Sequence, residues 1–115
     1  MLLTVDLKSS QPLHDQLAGQ IRNAIASGNP APGDKLPPAK ELAKSLGVNM
    51  HTMLRAHRTL QEEGLLEVRR GRGTLVTNKA PEQVDLIAIA QELVRAARHT
   101  GLVDEDIRQV LEGQL

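Results

Sequence analysis

The chain has 115 residues, 14 Lys/Arg balanced by 14 Asp/Glu, no Cys and no Phe, Tyr or Trp. That length suits one compact core with a short appendage and argues against a multidomain enzyme. The missing cysteines exclude disulfides, thiolate nucleophiles and sulfur-ligated zinc, and the missing aromatic rings remove the platforms on which unpaired bases stack. The zero net charge conceals an asymmetry, because residues 1–80 carry 11 Lys/Arg against 7 Asp/Glu and residues 81–115 carry 3 against 7. A polyanion would prefer the first part. Apolar runs fall far short of the roughly 20 residues that cross a bilayer, and the N-terminus lacks a basic stretch followed by an apolar run. A soluble, cytoplasmic protein with no membrane partner is expected.

Residues 2–7 are apolar and β-branched enough for a short strand, or an arm, before Lys8–Gln11 interrupts. From Pro12 the period changes to that of a helix: Leu13, Leu17, Ile21 and Ile25 recur every fourth residue, with Pro12 in the first turn and Gly28 as terminator. The turn-rich segment from Asn29 to Asp34 reverses the chain. Pro37-Pro38 opens a second, shorter helix that buries Ala39, Leu42, Ala43 and Leu46 and ends at Gly47. Asn49 caps a third helix running to about Glu63, with Met53, Ala56, His57 and Leu60 on one face. Leu65–Val68 and Thr74–Thr77 are strand-like and are joined by Arg69-Arg70-Gly71-Arg72-Gly73, a basic hairpin.

Residues 82–99 return to helical spacing through Val84, Ile87, Ala90, Val94 and Ala97, with Leu86 and Leu93 broadening the stripe. Asp104 is placed to cap a last helix carrying Ile107, Val110 and Leu111. Two amphipathic helices on so small a chain have little core to cover, so a second copy is their expected partner; packing on the chain's own core is the alternative. The predicted fold is mainly α with a small β-wing. A helix-turn-helix and wing (residues 1–78) precede a two-helix dimerisation tail (residues 79–115).

Helix, turn, helix, wing is the order that lays a third helix in a major groove. With Met53, Ala56, His57 and Leu60 inward, about 100° per residue brings His51, Arg55 and Arg58 to the outward side. Arg offers a bidentate fork to guanine or a phosphate contact, and Asn49, Met50, His51 and Thr52 at the helix start can touch base edges or donate free amides to phosphate. Arg58 has a second option in an i, i+4 pair with Glu62. Arg69, Arg70 and Arg72, with Gly71 and Gly73 permitting close approach, suit a narrow minor groove or, failing that, an ordinary soluble hairpin tip. His57 is expected to be a buried, hydrogen-bonded core residue. No two histidines have helical ligand spacing, so no metal and no cofactor is implied. No serine sits in a Gly-flanked elbow and no Gly-rich loop follows a strand, so no enzyme is indicated. The rival is a winged helix that contacts protein and not DNA, which would not need these arginines on neighbouring elements.

At these residues the sequence resembles the winged-helix repressors of the GntR family, and among them the small YtrA-type subfamily. The resemblance runs from Pro12 through "GNPAPGDKLP" from Gly28, "GVNMHTMLRAH" from Gly47 and "EEGLLEVRRGRGTLV" from Glu62. It implies a homodimeric transcription factor, a repressor by preference, on a palindromic double-stranded DNA operator. A small-molecule effector is compatible with it, although no polar residue set points to one. The chain departs from the family pattern in places. Pro38-Ala39-Lys40 stands where Ser-Glu-Arg is usual, which gives Lys40 the corresponding DNA contact without Arg's fork. Met50-His51 replaces Pro-Asn, Leu54 takes a commonly polar position, and His57 takes that of a Tyr.

Overall fold

The computed structural model describes residues 1–115, and its elements run α1 (Leu13–Ala26), α2 (Ala39–Leu46), α3 (Met50–Glu62), β1 (Leu66–Arg69), β2 (Gly73–Val76), α4 (Ala80–His99) and α5 (Asp104–Gly113). This is a winged helix-turn-helix followed by a helical extension. Two compact units are formed, Met1–Val84 and Asp85–Leu115, so the first turn of α4 belongs with the winged part.

Within the first unit α3 is the central element and packs against α1, α2 and β1. Its buried side chains are Met53, Ala56, His57 and Leu60, as the periodicity requires. Leu17 and Ile21 of α1, together with Leu65 and Val76 flanking and closing the wing, complete a core without an aromatic ring. Aliphatic branches therefore carry all of its packing. Deleting one, as in Leu60→Ala, costs about 2–5 kcal/mol at a fully buried position.

Both prolines that precede helices sit one residue earlier than the sequence pattern suggests. Pro12 and Pro38 are extended cap residues and not members of the first turn. Their carbonyls accept from Gln16 N–H and Leu42 N–H, both at 3.1 Å. A cap residue needs no N–H donor within the helix, so the imino nitrogen loses nothing there.

Residues 2–7 form no strand. They are an extended arm tied to α1 by two glutamines one helical turn apart. Gln20 Oε1 accepts from Thr4 N–H (2.9 Å) while Gln20 Nε2 donates to Thr4 O (2.6 Å). Gln16 does the same for Asp6, at 2.9 and 3.0 Å. Each primary amide thus stands in for the peptide group of a neighbouring strand, and Leu3 is buried beneath.

The wing pairs Leu66 with Val76, Glu67 with Leu75, Val68 with Thr74 and Arg69 with Gly73. Each strand is thus offset one residue toward the tip from the expected segments, and Arg72 N–H closes the turn on Arg69 O at 2.9 Å. The linker after α1 adds a rudimentary third strand. Leu36 N–H donates to Thr74 O (2.9 Å), Val76 N–H to Asp34 O (2.9 Å) and Gly33 N–H to Val76 O (2.8 Å).

In the tail, α4 begins at Ala80, two residues before the expected start, because Pro81 is tolerated in a first turn. Asp104 does not cap α5. Val103 holds that position, and Asp106 Oδ2 reaches back to accept from Val103 N–H at 3.2 Å. Asp104 instead pairs with Arg98 across the turn at 2.5 Å.

His57 is buried, yet its Nε2 has no hydrogen-bond partner, contrary to the satisfied core histidine expected. Burial pushes the imidazole pKa below its ordinary 6.5. The folded state therefore binds fewer protons than the unfolded chain as pH falls through that value, and the neutral ring's contribution to stability, present above it, is lost below it. The thermal midpoint is expected to fall between pH 7.5 and 5.5, with the slope flattened in His57→Leu; equal slopes in variant and parent would contradict the assignment.

Candidate nucleic-acid interface

Three residues join α2 to α3. Gly47 leaves α2 at φ +70°, a left-handed conformation that side chains with a Cβ resist. Val48 N–H returns to Ala43 O at 3.0 Å, and Asn49 Oδ1 then accepts from His51 N–H at 2.7 Å. With no slack between the two caps, the orientation of α3 is set by α2, and the face of α3 not buried is the one bearing His51, Arg55 and Arg58. All three are exposed, as are Asn49 and Met50, while Thr52 is half-buried.

The start of α3 is less open than the sequence suggests. The His51 amide is spent on Asn49 Oδ1, and the Thr52 and Met53 amides reach Asn49 O at 3.0 and 3.3 Å. Of the four positions expected to offer free amides, Asn49 and Met50 keep backbone N–H groups with no acceptor in the fold, while Asn49 Oδ1 is committed to the cap. The Met50 amide and the side chains of Met50, His51 and Thr52 are then the parts of this turn available to a groove.

Arg55 and Arg58 have no carboxylate within 4.0 Å, so the alternative pairing of Arg58 with Glu62 is not formed. Arg70 and Arg72 on the wing are likewise unpaired, whereas Arg69 donates to Glu67 Oε1 at 3.1 Å. Both partners of that pair are about half exposed, so it is weak. Lys40, in the first turn of α2, is exposed with no ion-pair partner. Exposed cations with unsatisfied charge on α2, α3 and the wing form a surface that gains from a polyanion at little desolvation cost.

Two positioning contacts escaped the sequence reading. Arg22 of α1 grips Glu63 at the end of α3 with three hydrogen bonds of 2.7, 2.9 and 3.1 Å, both side chains being largely buried. A fork of this kind fixes the far end of α3 as the Gly47 turn fixes the near end. Lys35 bridges to Leu75, and its side chain lies over Gly73: a Cβ there would stand 2.9 Å from Lys35 Cε, and φ at Gly73 is +88°. The positive φ is what requires glycine here, since the lysine tip could move aside, and Lys35 adds a further cation beside the wing. No local pattern announces either contact, since each joins residues about 40 apart.

In the tail the expected apolar stripe is only partly free. Val84 and Ile107 are buried in the single chain, and Ile87, Val94 and Ala97 are half-buried. Ala90, Val110 and Leu111 are exposed, but the most open large side chains of α4 are Leu86 (60 %) and Ile89 (66 %). The uncovered face is therefore rotated from the expected one and centred on Leu86, Ile89 and Ala90.

No three His, Asp or Glu side chains gather as a metal site, and no helix is long and apolar enough to cross a membrane. A cleft of about 410 Å³ lies beside α1, but its Gln16 and Gln20 amides are already committed to the arm.

Residues 13–76 match the family model described as bacterial regulatory proteins, gntR family. The chain is 37% identical over 109 residues to the HTH-type transcriptional regulator Rv1152 of Mycobacterium tuberculosis, covering 95% of this chain and 90% of that protein. It is 37% identical over 79 residues to the HTH-type transcriptional repressor YtrA of Bacillus subtilis, covering 69% and 61%. Among solved structures, YtrA from Sulfolobus acidocaldarius, a GntR-family transcription factor, superposes with a TM-score of 0.67 at 31% identity over 96% of this chain and 97% of that one. The AraR DNA-binding domain in complex with operator ORX1 gives 0.59 at 30% identity, over 67% of this chain and 96% of that one.

Proposed function

Because this chain belongs to the gntR family of bacterial regulatory proteins, we propose that it binds an inverted-repeat operator as a homodimer, reads each half-site with α3, and represses by occupying the promoter. It is a YtrA-type transcriptional regulator with a DNA-binding domain, and not an enzyme. The observation that carries the finer reading is the outward face of α3, where Arg55 and Arg58 stand exposed without a carboxylate partner.

Arg55, Arg58 and His51 take the major groove, with Asn49, Met50 and Thr52 at the groove edge. Lys40 holds phosphate, and Arg69, Arg70 and Arg72 at the tip Gly71–Gly73 approach the adjacent minor groove. Residues 1–78 are the DNA-binding domain, and residues 79–115 join two copies through α4 and α5, where Leu86 and Ile89 extend the stripe of Ile87, Ala90, Val94, Ala97, Val110 and Leu111. The YtrA relative from Bacillus subtilis is named a repressor, which favours that sign of regulation. Double-stranded DNA and a second copy are thus the partners; no residue set designates an effector.

Titration of duplex DNA at rising salt is expected to give affinity that falls steeply and log-linearly. Arg55→Ala is expected to lose about 1–3 kcal/mol of specific binding where it reads a base, or to lower the salt slope by about one where it holds a phosphate. Salt-independent retention, or an Arg55→Ala protein unchanged in both respects, would favour a protein-contacting module.

The dimer has its own check. Light scattering at micromolar concentration is expected to return twice the chain mass, and Ile89→Glu to return a monomer, since a charge would be buried in an apolar seam. A monomeric parent protein would refute the dimer.

A further inference from the structure

Outside the N-terminal arm, the first compact unit exposes three large apolar side chains, Met50, Leu54 and Val68. Two of them, Met50 (42 % exposed) and Leu54 (38 %), lie one turn apart at the start of α3. About 100° per residue places Leu54 some 40° around the helix from Arg58, with Met50 a further 40° on, so the pair forms one flank of the cationic stripe. A lone exposed leucine is ordinary. An adjoining leucine and methionine beside unpaired arginines are not, because apolar atoms gain nothing from phosphate and their exposure to water is unfavourable.

The major groove presents one apolar feature, the C5 methyl of thymine. A cytosine in the same place would set its exocyclic amino donor against side chains that offer at most a weak thioether acceptor, which costs most of the lost hydration of that group. Methionine's flexible thioether can follow a methyl whose position varies with local DNA shape. We propose that Leu54, supported by Met50, is a specificity-determining residue that selects thymine in each half-site by packing on its C5 methyl. This rests on the reading of α3 as the major-groove element.

The test uses the whole chain and a duplex recovered by selection from a random pool. Each thymine of the half-site is replaced in turn by uracil, which keeps the base pair and removes only the methyl. Affinity is expected to drop about fourfold per methyl lost, at one or two positions per half-site and nowhere else. In Leu54→Ala the same uracil duplex is expected to bind as well as its thymine parent, with the salt slope unchanged, while Met50→Ala narrows the difference without abolishing it. Indifference of the parent protein to uracil at every position overturns the proposal, as does a selected site without thymine or a penalty that persists in Leu54→Ala. The uracil scan on the parent protein needs no variant to fold. A chain that selects no duplex at all overturns the functional reading itself, whereas one that selects a thymine-bearing site and ignores its methyls overturns this assignment alone.

Discussion

Met53, Ala56, His57 and Leu60 line one side of α3, the helix that packs against α1, α2 and β1. A helix advances about 100° per residue, so burying those four leaves no freedom in what the opposite side displays. His51, Arg55 and Arg58 are outward because their neighbours are inward. Packing, worth several kcal/mol over these positions, thereby decides the orientation of charges whose own contribution to folding is small.

Three constraints turn this rotational choice into a fixed placement. The left-handed Gly47 and the Asn49 cap leave α3 no play at its start, and the Arg22–Glu63 fork holds its end to α1. The strand pairing of the Asp34–Leu36 linker with β2 ties the wing to the segment that follows α1, seating Lys35 over Gly73. A reading surface needs this rigidity, since side chains held on helices and paired strands lose little further entropy when they meet a groove.

The helices of the winged part were legible in the sequence because each obeys strong local rules: apolar residues at helical spacing, a proline or asparagine at the entry, a glycine just past the exit. The hairpin was legible from its glycines and flanking β-branched residues, to within one residue. What could not be read there is non-local. The arm's attachment depends on two glutamine amides that look like ordinary surface residues of α1. Lys35 becomes part of the wing only through pairing across about 40 residues, and Glu63 finds Arg22 over a similar separation. The Asp104 cap failed for a subtler reason, since an aspartate three residues on, Asp106, served the same amide from inside the helix. For the tail, periodicity identified an apolar stripe but not which part of it the chain covers by itself, so Ile89 was overlooked and Val84 and Ile107 were counted as free. Of the candidate interface, the outward stripe and wing arginines were legible by elimination, whereas the committed amides at the start of α3 required the cap geometry.

The charge asymmetry acquires a physical sense in this frame. Exposed cations without a carboxylate partner lie on the first compact unit, whereas Arg95, Arg98 and Arg108 of the second are each paired with a carboxylate, so a polyanion would favour the first. The central claim is that the cationic face of α3, duplicated by a two-fold axis, reads double-stranded DNA. Selection of bound duplexes from a random pool measures this most directly. The expected result is an inverted repeat with half-site centres about 10 base pairs, or a multiple, apart; recovery of unenriched sequence, or of a single unrepeated site, would contradict it.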